Sequence, residues 1–154
     1  MYILTGEHAR ELIAVESVFK FLKFLCQKKD SEAKEILIKN VIRIILNANS
    51  SQRILVEKGN YCIRVNKNDV DINRNWDYFW GREIQMGEEN PGKRAFSELE
   101  TNFIKDTVTY FKPKLFLTVH SGMFGLFHPF AYYEGLPTNT GKLINYEIKL
   151  FTIV

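Results

Sequence analysis

Two histidines in this sequence stand just past apolar, β-favouring runs. Tyr2-Ile3-Leu4-Thr5 leads through Gly6 and Glu7 to His8, and Leu115-Phe116-Leu117-Thr118-Val119 leads directly to His120. In open α/β sheets, sites form beyond the carboxyl ends of the strands, so parallel neighbouring strands would bring His8 and His120 to one edge. Glu11 follows His8 by three residues, in what reads as the first turn of a helix, a spacing that keeps both side chains on one face. Two imidazoles and a carboxylate are the ligand set of a catalytic zinc whose fourth position stays open to water. Taken singly, the same residues also fit a surface His8/Glu11 pair and a structural His120 at a strand end. A chance His-x-x-Glu arises in roughly a third of chains of this composition, so the shared position after β-runs adds weight that the spacing alone lacks.

The second concentration of chemistry is Asp69-Val70-Asp71-Ile72-Asn73-Arg74-Asn75-Trp76, where polar and charged residues run into Trp76, Tyr78, Phe79 and Trp80. An arginine with a neighbouring amide suits a free peptide carboxylate, because the guanidinium grips a carboxylate with two parallel hydrogen bonds. The same composition also describes a solvated loop whose aromatics cover the edge of a core.

These residues need elements to hold them. From about Ala9 to Gln27, Leu12, Val15, Phe19, Leu22 and Cys26 recur at three- and four-residue steps, which predicts a helix with that face, Cys26 included, toward the core. The charged stretch Lys28 to Lys39 reads as a surface connection. Val41 to Leu46 reads as a mostly buried strand, ending in the turn-rich Asn47 to Ser51. Gln52 to Gly92 reads as irregular, with β-like pieces at Ile54-Leu55-Val56 and Tyr61-Cys62-Ile63. Ser97 and Glu100 fit a capping box that opens a helix with Leu99, Phe103, Thr107 and Phe111 along one face, stopped at Pro113. Leu115 to Val119 predicts a strand and Leu126 to Tyr133 a further one. Strands alternating with helices argue for an α/β layer fold.

Composition bounds what such a chain can be. With 154 residues, 45% hydrophobic and 25% charged, and a mean hydropathy of −0.19, it has the make-up of one globular domain, not of a disordered or fibrous protein. The balance of 21 basic and 18 acidic residues, net +3, predicts neither nucleic-acid nor membrane-surface binding. No apolar stretch has the length of a membrane span, and no charged leader or cleavage site is visible before the first β-run. Cys26 and Cys62 are too few for a disulfide scaffold or a thiolate metal site, and their redox state stays open.

Taken together, these segments resemble the zinc metallocarboxypeptidase family of the carboxypeptidase A/B type. Gly6-Glu7-His8-Ala9-Arg10-Glu11 resembles its first zinc-ligand motif, Val70 to Trp76 its substrate-carboxylate motif, and Leu117-Thr118-Val119-His120-Ser121 its third-ligand strand. Asn60-Tyr61-Cys62-Ile63-Arg64 with Asn66 stands where the family keeps a catalytic arginine. Ala95-Phe96-Ser97-Glu98-Leu99-Glu100-Thr101 is similar to its Phe-Ser-Glu-x-Glu-Thr helix start, His128-Pro129-Phe130-Ala131-Tyr132 to its Tyr-Pro-Tyr-like strand, and Gly122-Met123 to a variant after the ligand serine. The resemblance implies an α/β fold, part of a mixed, largely parallel sheet flanked by helices. It implies that His8, Glu11 and His120 bind zinc, that Arg64 meets the oxyanion, that Asn73 and Arg74 hold the C-terminal carboxylate of a peptide or protein substrate, and that Arg10 touches the peptide upstream.

The departures from the family pattern carry expectations of their own. The family's general-base glutamate, substrate-capping tyrosine and specificity-pocket residues lie well downstream of the third ligand, and Glu134 is no candidate for the base. The resemblance therefore implies a partial catalytic domain over residues 1–137, cut at both ends, and an unassigned tail over 138–154. It implies zinc-dependent removal of C-terminal residues, silent in this chain for want of the base. The alternative is a non-catalytic zinc- and peptide-C-terminus-binding remnant. Ser50-Ser51-Gln52 stands where the family has a Pro-Asp-Gly-like turn, and Asp69 where it often has Gly, a position that Asp can fill because it tolerates positive φ.

Overall fold

The computed structural model describes residues 1–27, 30–78, 80–81, 87–123 and 125–127. The chain divides into two compact units, Met1–Gly122 and Met123–Val154, and the elements that follow belong to the first. In chain order they are β1 (Tyr2–Thr5), α1 (Leu12–Leu25), α2 (Ser31–Lys39), β2 (Arg43–Ile45), α3 (Ser50–Glu57), a 3-10 turn at Ile72–Arg74, α4 (Leu99–Phe111) and β3 (Phe116–Val119). The sheet runs β2-β1-β3, and β1 is parallel to both neighbours. This is the expected α/β arrangement.

β1 is buried along its whole length because it is central and covered on both faces. Tyr2 and Leu4 on one face join Ile72 and Ile104 in the core, with Ile45, Ala48, Trp76, Val108 and Phe111 packed around them. Ile3 alternates to the other face and is equally enclosed, and α1 packs on β1 as well. The β1–β3 register pairs Tyr2 with Phe116 and Thr5 with Val119, so the two strands end level. That level ending is what lets their C-terminal extensions meet.

Several local expectations are corrected. The core face of α1 is Ala14, Val18 and Leu25, whereas Phe19 is partly exposed and Cys26 is an exposed free thiol. The apolar residues of this helix extend around more than one face, and which face is covered depends on where β1 and α2 lie. Lys28 to Lys39 is no mere connection: from Ser31 it is α2, whose N-cap Asp30 accepts hydrogen bonds from the Glu32 and Ala33 backbone amides. Ile54-Leu55-Val56 lies in α3, and Ser50-Ser51-Gln52 forms the first turn of that helix. Amphipathic spacing that buries Arg53 and Val56 outweighs the β-branched residues' preference for strands.

β2 is shorter and more exposed than its apolar sequence suggests, since among the described residues it has a partner on one edge only. α4 begins at Leu99 after Glu98, and the capping-box bonds are not made. The Ser97 hydroxyl instead donates to the Glu98 carboxylate. The inward face of α4 is Thr101, Ile104, Val108 and Phe111, while Leu99 and Phe103 are exposed. Lys112, at φ 48°, turns the chain out of the helix before Pro113. Asp69 does adopt the positive φ expected of it, at 57°. Leu126 and Phe127 are not in a strand. The rest of that predicted strand, the His128–Tyr132 motif, Glu134, the 137/138 boundary and the tail lie outside the described residues. Among the described residues, no helix is long and apolar enough to cross a membrane.

Candidate metal centre

Beyond β1 the chain must turn sharply, and Gly6 makes the turn at φ +75°. A Cβ there would stand 2.8 Å from the backbone Cα of Asn47, so no other residue fits without displacing the β2–α3 connection. Ala48 N–H donates to the Thr5 carbonyl and Asn49 N–H to the Gly6 carbonyl, tying the turn to the start of α3. The Asn49 side-chain amide reaches the Glu7 and Val65 carbonyls, and Ala9 N–H donates to the Arg64 carbonyl. His8 is thereby set on a clamped backbone. Glu11 occupies the N-cap position of α1, one residue before the helix, where its side chain makes no capping bond and is left to face the histidines.

His8, Glu11 and His120 converge. His8 Nδ1 lies 2.7 Å from Glu11 Oε1, His120 Nδ1 3.0 Å from Glu11 Oε2, and the two Nδ1 atoms are 3.2 Å apart. Donors held about 2.0–2.1 Å from one zinc at tetrahedral angles stand roughly 3.3 Å from each other. The three side chains thus have the separations, and the nitrogen and oxygen chemistry, of a zinc site. Ser121 N–H also donates to Glu11 Oε2, steadying the carboxylate.

The far nitrogens of both rings are also engaged. His8 Nε2 is 3.1 Å from Asp71 Oδ1, and Asp71 Oδ2 receives Arg64 through Nε at 3.0 Å and Nη2 at 2.8 Å. His120 Nε2 is 3.2 Å from Glu7 Oε2. A carboxylate only accepts hydrogen bonds, so Asp71 keeps a proton on His8 Nε2; Nδ1 faces Glu11 at the centre, and its proton is the one that a metal there would displace.

Charge supports the same reading. Glu7, Glu11 and Asp71 are 2%, 8% and 0% exposed, and among the described residues the one guanidinium in contact with this group, Arg64, leaves two negative charges over. Buried charge demands a counter-charge, which a divalent cation or protons on the two imidazoles would provide. Without metal, protons take that role. Burial opposes the charge on His120, but hydrogen bonds to Glu11 and Glu7 outweigh it and raise its pKa from 6.5 to about 9. His8 is likewise raised, burial being outweighed by Asp71 and Glu11. Burial would raise Glu11 and Asp71, yet their histidine partners hold both well below the ordinary carboxylate range.

A pH dependence follows, with its sign. Raised histidines stabilise the metal-free fold fully below their ordinary value of 6.5, and that contribution fades as pH climbs through their raised values, about 9 for His120. The lowered carboxylates contribute above their ordinary values and lose that contribution only as pH falls through their depressed ones. Metal must displace the imidazole protons, so its binding strengthens as pH rises. The zinc-induced increase in melting temperature is expected to be larger at pH 8.5 than at pH 6, with proton release visible by calorimetry in buffers of different ionisation enthalpy. A zinc effect of equal size at both pH values would contradict this.

The remaining sequence-predicted residues are distributed as follows. Arg64 joins the centre, its Nη1 3.9 Å from Glu11 Oε1. Asn73 and Arg74 sit in the 3-10 turn capped by Asp71, which accepts the Asn73 backbone N–H. Arg74 is partly exposed and pairs with Glu89 at 3.4 Å, while Arg10 pairs with Glu88 at 3.0 Å and donates to the Cys62 carbonyl. These two arginines are therefore held by one short acidic segment and not by the histidine cluster. Asn75, fully buried, anchors the turn: its amide donates to Pro91, Arg94 and Ser97, and its carbonyl accepts from Glu98 N–H and Thr101. Sequence reasoning assigned no role to Glu7 or Asp71. Their proximity in sequence to histidine and arginine candidates was the available signal, but the contacts themselves span distant parts of the chain.

Comparison with known proteins gives the family and the fold. Residues 1–148 match the family model described as zinc carboxypeptidase. Among solved structures, the carboxypeptidase A of Helicoverpa armigera superposes with a TM-score of 0.74 at 20% identity, over 96% of this chain and 39% of that one. Bovine thrombin-activatable fibrinolysis inhibitor, solved with tick carboxypeptidase inhibitor, gives a TM-score of 0.81 at 21% identity, over 93% of this chain and 52% of that one. The chain thus spans between two-fifths and about half the length of these structures. A search of curated proteins returned no match.

Proposed function

The chain belongs to the zinc carboxypeptidase family, and from that premise we propose that its histidine cluster is a zinc site serving the hydrolytic removal of C-terminal residues from peptides or proteins. The observation that carries this reading is the convergence of His8 Nδ1, His120 Nδ1 and the Glu11 carboxylate, with a carboxylate against each ring's far nitrogen. Zinc, when bound, supplies Lewis acidity and a bound water acidified toward neutrality.

In this reading each residue has a task set by its place. His8 and His120 present neutral nitrogens, and Glu11 adds a negative oxygen. Arg64, fixed by two hydrogen bonds to Asp71, presents a positive charge that needs no reorganisation when charge develops on a scissile carbonyl. Asn73 and Arg74 take the substrate's terminal carboxylate, and Arg10 the peptide upstream. The substrate carboxylate then replaces Glu89 on Arg74, an exchange made easy because the resident pair is exposed and long.

A proton acceptor for the water completes such a site. Glu7, Glu11 and Asp71 are each committed to a histidine, so we assign that role to none of them. Loss of a general base typically lowers rate about 100- to 10,000-fold, so on this reading, with the described carboxylates at the centre all engaged, substrate binds far better than it is turned over. The second reading, a non-catalytic binder of zinc and peptide C-termini, shares everything but turnover.

The clamp is tested by titrating a short peptide with a free C-terminus, and its C-terminal amide, into the zinc-loaded chain. The acid is expected to bind about 10- to 100-fold more tightly, as suits a charged arginine–carboxylate bond, and Arg74→Ala to erase the difference. Equal affinity for acid and amide in the unmutated chain would sink the clamp. Release of the terminal residue, followed by chromatography, separates enzyme from binder.

A further inference from the structure

The zinc reading accounts for His8, Glu11 and His120 but leaves unexplained why the glutamate that precedes His8 is buried against His120. Glu7 is 2% exposed. A carboxylate so enclosed is costly unless charged or donating partners surround it. Two such partners are present, both from β3 and the residue after it. Thr118 Oγ1 donates to Glu7 Oε2 at 2.6 Å, and His120 Nε2 lies 3.2 Å from the same oxygen. His120 Nε2 is also 3.0 Å from Thr118 Oγ1.

Hydrogen-bond accounting then says which proton stays when a metal takes the place of the other. The ionised carboxylate can only accept, and the one hydroxyl proton of Thr118 is committed to it. Neither group can donate to the imidazole, so Nε2 of His120 must carry the proton shared by this triangle. Nδ1, 3.2 Å from His8 Nδ1 and 3.0 Å from Glu11 Oε2, faces a carboxylate too, and its proton is the one that a metal at the centre would displace. Asp71 holds the Nε2 proton of His8 in the same way.

We propose that Glu7 is the positioning residue for His120, orienting the ring and directing Nδ1 to the metal in the way that Asp71 acts on His8. The assignment rests on the zinc reading above. The Gly6 turn, at φ +75°, stands immediately before Glu7 and His8 and so fixes the direction in which both leave β1. A carboxylate behind a ligating imidazole raises the basicity of the ligand, and loss of such a partner typically weakens metal binding about 10- to 100-fold.

The experiment measures zinc affinity of the whole chain by competition with a chromophoric chelator, and the visible absorption of the cobalt(II)-substituted chain. Glu7→Gln, which keeps the length and an acceptor oxygen but not the charge, is expected to bind zinc about tenfold more weakly. Glu7→Leu, which keeps neither, is expected to lose about 100-fold, with a changed cobalt spectrum. A purely structural Glu7 would lower the melting temperature of the metal-free chain and leave zinc affinity and the cobalt spectrum unchanged, and that result would overturn the proposal. Should neither variant fold, Thr118→Val, at an exposed position of β3, replaces only the hydroxyl that donates to Glu7, and a several-fold loss of affinity is expected. Affinity within twofold of the unmutated chain would overturn the proposal there too. No zinc uptake by the unmutated chain would overturn the zinc reading and this one together, whereas uptake that Glu7→Leu leaves unchanged would overturn this one alone.

Discussion

His120→Ala is expected to abolish stoichiometric zinc uptake, and His8→Ala to do the same. Either change removes one of the three converging donors, leaving two where a zinc site requires three from the protein. The loss should exceed the 10- to 100-fold typical of an outlying partner and reach at least about 1000-fold in affinity. His120 is the cleaner test, since its side chain is 28% exposed and its removal leaves the β1–β3 pairing intact, whereas His8 is 3% exposed and clamped. Elemental analysis of the dialysed chain beside the two variants reads the result. One zinc per chain in the unmutated protein, absent from both variants, is the expected pattern. Retention of that zinc in both variants would place the metal elsewhere and sink the assembled centre.

Asp71→Ala is expected to cost the most stability of any single change at the centre. Asp71 is fully buried and holds three groups at once: His8 Nε2, the Arg64 guanidinium and the Asn73 backbone N–H. Truncation leaves Arg64, 14% exposed, with its remaining carboxylate neighbour 3.9 Å away. Removing one member of a buried ion pair typically costs about 3–5 kcal/mol, because the surviving charge stays desolvated. Zinc affinity should fall in parallel, since His8 loses the partner that holds its Nε2 proton and orients the ring. Urea denaturation with and without zinc measures both. A change in unfolding free energy below about 1 kcal/mol would mean that water replaces Asp71 at little cost, and that the pair does not organise the site.

Much of the fold and of the candidate site was legible residue by residue. The runs that became β1 and β3 announce themselves by unbroken apolar β-formers, and Gly6 and Pro113 mark where the chain turns. Parallel strands that end in histidine could be read as a shared edge, and the structure does pair Thr5 with Val119. The stretch around Asp69 to Trp76 stood out because its polar residues crowd against aromatics. Less was legible between them. α2 and α3 were read as connection and irregular chain, although Asp30 is a clear cap once the helix is known. The burying faces of α1 and α4 were each misplaced. A helix with apolar residues on more than one side does not specify which side is covered until its neighbours are in place.

The sequence by itself determined which residues could carry chemistry, because residue type and short spacing are local properties: His8 with Glu11, His120 after its strand, Arg64, and Asn73 with Arg74. Only the tertiary structure decided how the charges are distributed among them. Asp71 reaches His8 across 63 residues and Thr118 reaches Glu7 across 111. Such contacts depend on strand register and on a glycine turn that admits no Cβ. A side chain's tautomer, its burial and its charge balance are set by partners that the chain brings close only when it folds.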